Sequence, residues 1–202
     1  MPLANFSFAE DDLSLFETVE FKSSNFNSVP KWVKILDKMI LENKDIEACE
    51  KNLTRCNNEF LKQWLFFLEQ SKEIKNKEIL LNSVNAFFNE WEYILDIDNW
   101  NLSDYWEIPS EFLEFSGDCE DYVIIKYYTL KKLGFKTNDL RIVIVKDIVR
   151  NGAHAVLAVY QNNQIYILDN LSTIALNDDL LTQYKPYYSI NEKFKWIHFK
   201  KL

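Results

Sequence analysis

The sequence predicts an α+β fold in which helices precede an antiparallel sheet, and three features of its patterning carry that expectation. Apolar residues recur at three- and four-residue spacing from Pro30 to about Leu95. A separate helical stretch opens at Cys119 and closes at Gly134, where a left-handed C-cap belongs. Beyond it the apolar period changes to two, the mark of strands with a buried face.

In chain order, residues 1–28 are polar with scattered Phe and read as an extended or loosely packed arm. Residues 29–97 form a helical half and residues 98–202 a second half. The first helix starts near Pro30, whose missing N–H is unneeded in a first turn, and faces Trp32, Ile35, Leu36, Met39 and Ile40 inward. A second, over 53–70, points Phe60, Trp64, Phe67 and Leu68 inward. A third, over 77–95, carries Leu80, Leu81, Val84, Phe87, Phe88 and Trp91. Stripes of this kind are core faces far more often than ligand grooves. Residues 96–116 read as a loop rich in Trp and Tyr (Trp100, Tyr105, Trp106), followed by the helix over 119–133. Strands are expected over 141–146, 154–160 and 165–170, with one more near 195–200. Gln161-Asn162-Asn163-Gln164 joins two of them as a tight hairpin.

Composition excludes several functions. A net charge of -8 disfavours nucleic acid, whose phosphates need a basic stripe. No run of about 18 apolar residues occurs, so no membrane span is expected. Only 3 Gly and 4 Pro argue against long disordered linkers. The start, Met1-Pro2-Leu3-Ala4-Asn5, lacks the charged and apolar regions of a secretory signal, so the sequence read alone points to the cytosol. An odd count of 3 cysteines leaves a free thiol. Cys49 and Cys56 would sit roughly 10 Å apart on a continuous helix, too far for a disulfide, and read as apolar fillers.

The chemistry gathers around Cys119. It stands in the first turn of its helix behind Ser116-Gly117-Asp118. Helix N-termini carry unpaired N–H groups and partial positive charge, which favour a thiolate and could supply part of an oxyanion hole. The Cys119 pKa is therefore expected to fall. The alternative is a structural cysteine buried in the core. Of the two histidines, His198 lies among Lys195, Lys200 and Lys201 and reads as a surface residue. His154 opens an apolar strand, Ala155-Val156-Leu157-Ala158-Val159, where a lone His has no packing purpose. If Asn162 and Asn163 form a two-residue loop, Gln161 pairs with Gln164 and Val156 falls opposite Asp169. His154 is then the diagonal neighbour of Asp169 on one face. Cys119 as nucleophile, His154 as base and Asp169 as orienting acid is the layout of transglutaminase-like and papain-like sites. The acids Asp118, Glu120 and Asp121 have two readings: a cap favoured by the helix dipole, or a calcium site, since hard cations want carboxylate oxygens.

The stretch Gly117-Asp118-Cys119-Glu120-Asp121-Tyr122 resembles the bacterial transglutaminase-like cysteine proteinases of the LapG type. The likeness runs through Val84-Asn85-Ala86-Phe87-Phe88-Asn89, Asp104-Tyr105-Trp106, Pro109-Ser110-Glu111-Phe112-Leu113, Lys126-Tyr127, His154-Ala155-Val156-Leu157 and Leu168-Asp169-Asn170-Leu171. It implies a papain-like or transglutaminase-like core within residues 29–202, with Cys119, His154 and Asp169 as triad. It implies a periplasmic endopeptidase that cuts a large repeat adhesin near its N-terminus, beside paired alanines, and so disperses biofilm. It further implies Ca2+ bound through Asp118 and Glu120, and inhibition by a cyclic-di-GMP-responsive inner-membrane receptor that grips an exposed tryptophan, for which Trp106 is the candidate. The rivals are a transglutaminase or amidase on the same triad, and a non-catalytic module that binds a peptide or receptor.

Overall fold

The fold is seen in a computed structural model that describes residues 13–56 and 58–201. Helix α1, Pro30–Lys51, starts on its proline as expected and buries Trp32, Ile35 and Met39. Ile40, expected inward, is exposed. Asn52 then turns extended, and its side chain accepts from the Thr54 N–H to open a short 3₁₀ turn, Leu53–Arg55. That turn folds the chain back on itself. Cys56 therefore returns to Cys49, and the two form a disulfide with their Cα atoms 4.5 Å apart. The expectation that they are unpaired fillers is thus corrected: the helix is not continuous between them.

Helix α2 accordingly begins later than expected, at Glu59–Ser71, capped by the Asn58 side chain on the Leu61 N–H. It buries Trp64 and Leu68, while Phe60 stays exposed. Helix α3, Lys77–Phe88, is capped by Asn76 and ends sooner than expected, at Asn89. The stretch read as loop holds two short helices, α4 (Asp96–Trp100) and α5 (Pro109–Phe115). Helix α6, Cys119–Lys132, follows and is closed by Gly134 at φ +90°, a conformation that glycine adopts without strain. Every residue of α6 from 121 to 130 is buried, so the helix is enclosed on all sides. Trp32 packs edge-on to Tyr127, and the Trp64 indole N–H donates to Thr129 Oγ1 at 2.9 Å.

The sheet has seven strands in the order β1-β7-β6-β2-β3-β4-β5, with every pair antiparallel. They are β1 (Thr18–Ser23), β2 (Leu140–Asp147), β3 (Gly152–Gln161), β4 (Gln164–Leu168), β5 (Leu176–Asn177), β6 (Tyr184–Ile190) and β7 (Lys195–Lys200). Residues alternate between faces as period two requires. Ile142, Ala155, Leu157 and Leu168 meet the helices, while Val143, Val145, Val156 and Ile167 join Leu15, Leu181 and Tyr184 in a smaller second core. The β3–β4 hairpin has the expected register, with Gln161 opposite Gln164. Asn162 and Asn163 both take positive φ, as a type I′ turn demands.

Three strands escaped the sequence reading, of which β5 is only two residues long and carries no periodicity. Strand β6 contains Pro186, which argues against a central strand, but the pairing with β2 shifts register at Val145 opposite that proline. Strand β1 lies in the expected arm, of which residues 1–12 fall outside the described residues. It is extended but not loose: it pairs with β7 over six residues. His198 on β7 is correspondingly buried rather than exposed, between Ser189 and Thr18 at 2.9 and 2.8 Å.

Candidate active site

Three elements meet at one end of the sheet. Helix α6 presents Cys119 at its first residue, β3 presents His154, and the chain leaving β4 presents Asp169. His154 Nε2 and Asp169 Oδ1 are 2.9 Å apart, the diagonal pairing that the hairpin register requires. A carboxylate only accepts, so Nε2 carries the shared proton and Nδ1 is left as the basic nitrogen. Asp169 is held on every side. Its Oδ1 also accepts from the Leu171 N–H at 3.0 Å and its Oδ2 from the Tyr184 hydroxyl at 2.5 Å. Burial pushes its pKa up, but these bonds and the His154 ring outweigh burial and hold it below the usual carboxylate range.

Cys119 and His154 line one cleft of about 370 Å³, together with Trp32, Tyr93, Trp106, Asp118, Glu120 and Tyr188. A larger hollow of about 740 Å³ lies between the end of α1 and α2, lined by Leu53, Phe66 and Lys72, but no member of the candidate triad reaches it. The smaller cleft is where chemistry can occur. Trp106, expected as an exposed anchor, is only 8% exposed, although it is among the residues that line that cleft.

The start of α6 is fixed by Asp121, whose Oδ2 accepts from the Asp118 N–H at 3.0 Å and whose Oδ1 accepts from the Glu107 N–H at 2.8 Å. The cap reading of Asp121 holds. Gly117 is required here, because a Cβ on it would lie 2.7 Å from the Cβ of Asp121. The expectation of a depressed thiol pKa does not hold for the protein alone. Burial drives the Cys119 pKa far up, and the Glu120 and Asp118 carboxylates add to it. Cys119 Sγ donates to Glu120 Oε2 at 3.2 Å.

Those carboxylates form a cluster that the sequence revealed only in part. Asp96, on α4, and Asp104, in the following loop, bring carboxylate oxygens within 4.8 Å of Glu120. Asp96 also lies within 4.8 Å of Asp118. Asp118 is pushed up to about 9 by burial and then by Glu120; Glu107 is pushed up to about 7, chiefly by burial. Asp96 is raised as well, again chiefly by burial. Asp96 Oδ1 and Asp118 Oδ1 are buried and lack a hydrogen-bond partner. Buried, crowded, unpartnered carboxylate oxygens are a donor set suited to a hard divalent cation. Asp96 and Asp104 were missed because their approach to α6 depends on tertiary folding; the acid-rich run from Asp96 to Asp104 was the one local sign.

A cysteine at a helix start, sharing a cleft with a histidine that an aspartate orients from the neighbouring strand, defines a cysteine protease of transglutaminase-like fold. The chain belongs to the bacterial transglutaminase-like cysteine proteinases (BTLCP), whose family model matches residues 44–201. Among solved structures, calcium-bound LapG of Legionella pneumophila is 33% identical, with a TM-score of 0.66, 76% of this chain covered and 87% of that one. EGTA-treated LapG of the same organism is 32% identical, with a TM-score of 0.67 and coverage of 78% and 88%. No curated protein matches the chain.

Proposed function

We propose that this cysteine protease is a calcium-dependent endopeptidase that cuts the N-terminal region of a large surface adhesin, with Cys119 as nucleophile, His154 as base and Asp169 as orienting acid. The observation that carries the reading is the His154–Asp169 pair, whose histidine shares a cleft with Cys119. In the mechanism, His154 Nδ1 takes the Cys119 proton, and the thiolate adds to a peptide carbonyl. The resulting tetrahedral oxyanion collapses to a thioester as His154 protonates the leaving amine. His154 then activates water, whose attack frees the acid product and regenerates the thiol. Asp169 keeps the proton on Nε2 throughout and stabilises the imidazolium. An N–H group at the start of α6 would supply one oxyanion donor.

Asp118 and Glu120, with Asp96 and Asp104, are the residues that would hold calcium. Calcium held there would supply positive charge that offsets the Glu120 and Asp118 carboxylates, which add to burial in raising the Cys119 pKa. The calcium-bound and EGTA-treated forms of the Legionella protein support this reading.

The Cys49–Cys56 disulfide supports an oxidising compartment such as the periplasm. Among the described residues no helix is long and apolar enough to cross a membrane. The family resemblance supports an adhesin as substrate, biofilm dispersal as outcome, and a cyclic-di-GMP-responsive receptor as inhibitor. Trp106, which is largely buried, would reach that receptor only from within the cleft.

The test is to incubate the protein with the N-terminal region of a large repeat adhesin, with calcium and then with a chelator. A single calcium-dependent cut beside paired alanines, lost in Cys119→Ala, is the expected result. Amine incorporation in place of hydrolysis would identify a transglutaminase instead. Binding without any turnover would identify a binding module.

A further inference from the structure

We infer that Lys126 is a positioning residue for the triad, acting through Asn85 and Asn89 on the loop that carries Asp169; the inference rests on the triad proposed above. Lys126 follows Cys119 by seven residues, about two helical turns, and so lies on the same stripe of α6. It is completely buried, and its Nζ donates to Asn85 Oδ1 at 2.8 Å and to Asn89 Oδ1 at 2.6 Å. The two amides pass the constraint on. Asn89 Nδ2 donates to the backbone carbonyls of Asp169 and Ser172 at 2.9 and 2.8 Å, and Asn85 Nδ2 donates to that of Ser172 at 2.6 Å.

The direction of these bonds is dictated chemically. An ammonium only donates, so both amide oxygens must face Lys126 and both NH₂ groups must face the loop. Without the ammonium, either amide could turn over and release a carbonyl of loop 169–172. Lys126 thus grips that loop from behind, while Leu171 and Tyr184 hold the Asp169 carboxylate from in front. One helix thereby places the nucleophile at its start and steadies the orienting acid two turns further on.

Stability alone does not explain a lysine here. Burial pulls its pKa down to about 7, against which the Asp169 charge pulls it back up. Burying an ammonium is costly, and an apolar side chain of similar length would fill the space without that cost. The Lys126 and Asp169 charges attract through space, which favours the carboxylate form that orients His154.

The experiment compares wild type with Lys126→Met, Lys126→Gln and Asn89→Ala. Turnover is measured on a quenched fluorogenic peptide containing an Ala-Ala pair, and the downfield proton resonance of the His154–Asp169 hydrogen bond is followed by NMR. In folded Lys126→Met, kcat is expected to fall about tenfold or more with KM changed less than about twofold, and the resonance to broaden or vanish. Lys126→Gln keeps two N–H donors without the charge and should recover much of the lost kcat. Asn89→Ala breaks the link at a half-buried helix end and should reproduce the Lys126→Met pattern. It decides the question if Lys126→Met does not fold. Unchanged kcat and an unchanged resonance in the folded variants would overturn the inference. If wild type cuts no peptide, the proposed function is what fails, and the resonance alone then decides the role of Lys126.

Discussion

Asp169 illustrates how a residue unsuited to its setting announces a role. An aspartate ending an Ile-Tyr-Ile-Leu strand has no packing value, and here its carboxylate collects the His154 ring, the Leu171 N–H and the Tyr184 hydroxyl. Asp169→Asn keeps the shape but presents an N–H or an amide oxygen where a carboxylate set the tautomer. It should lower kcat by about 10³-fold or more with little change in melting temperature. A kinetic and thermal comparison of the purified variant checks this; near-wild-type kcat would count against the orienting role. The acidic cluster makes a separate prediction. Calcium should raise the melting temperature of wild type, and the rise should shrink in both Asp118→Ala and Asp96→Asn, because a ligand stabilises only the state that binds it. Equal rises in all three proteins would remove those residues from the ion's shell.

At the scale of elements, two features outside the site determine how the frame is held. The Cys49–Cys56 bridge pins the end of α1 to the turn that leads into α2. It closes a short loop, so Cys56→Ser should cost about 2 kcal/mol of folding stability by the chain-entropy estimate. Urea unfolding of the variant measures that loss, and wild type treated with a reductant should match it. The second feature is His198, which joins β7 to its neighbours β6 and β1 through Ser189 and Thr18. The Thr18 hydroxyl is committed to the Leu15 carbonyl at 2.8 Å, so Nδ1 donates to Thr18 and Nε2 accepts from Ser189. Burial, helped by the Arg141 charge, lowers the His198 pKa to about 3. The sign follows directly. Below about pH 6.5 the unfolded chain takes up a proton that the folded protein refuses, so folding stability falls as the pH drops, by up to about 1.4 kcal/mol per pH unit. His198→Gln should flatten the dependence between pH 7 and pH 5. A slope identical to wild type would place the acid sensitivity elsewhere.

Across the whole molecule, what the sequence disclosed and what it hid divide by distance along the chain. The helix start at Cys119, the two-residue turn at Asn162 and Asn163, and the register that brings His154 to Asp169 are local properties, and each was legible. The disulfide was hidden because one extended residue, Asn52, breaks a helix that periodicity alone continues. The burial of His198 depended on β1 crossing from the other end of the chain, and the nearby lysines pointed the wrong way. Asp96 and Asp104 reach Glu120 only through the fold, so the acids that gather beside Asp118 and Glu120 were hidden in the sequence. The raised Cys119 pKa has the same origin, since burial and neighbouring carboxylates outweigh the helix terminus. These long-range features converge on a cysteine protease whose thiol is held protonated first by burial and then by the neighbouring acids proposed to hold calcium.

The most direct test of that claim is the rate of cutting of an adhesin N-terminal region, measured with excess calcium and with a chelator, for wild type and Cys119→Ala. The prediction is one cut, made by wild type with calcium and by neither protein under chelation. Cutting by Cys119→Ala, or equal cutting by wild type with and without calcium, would contradict it.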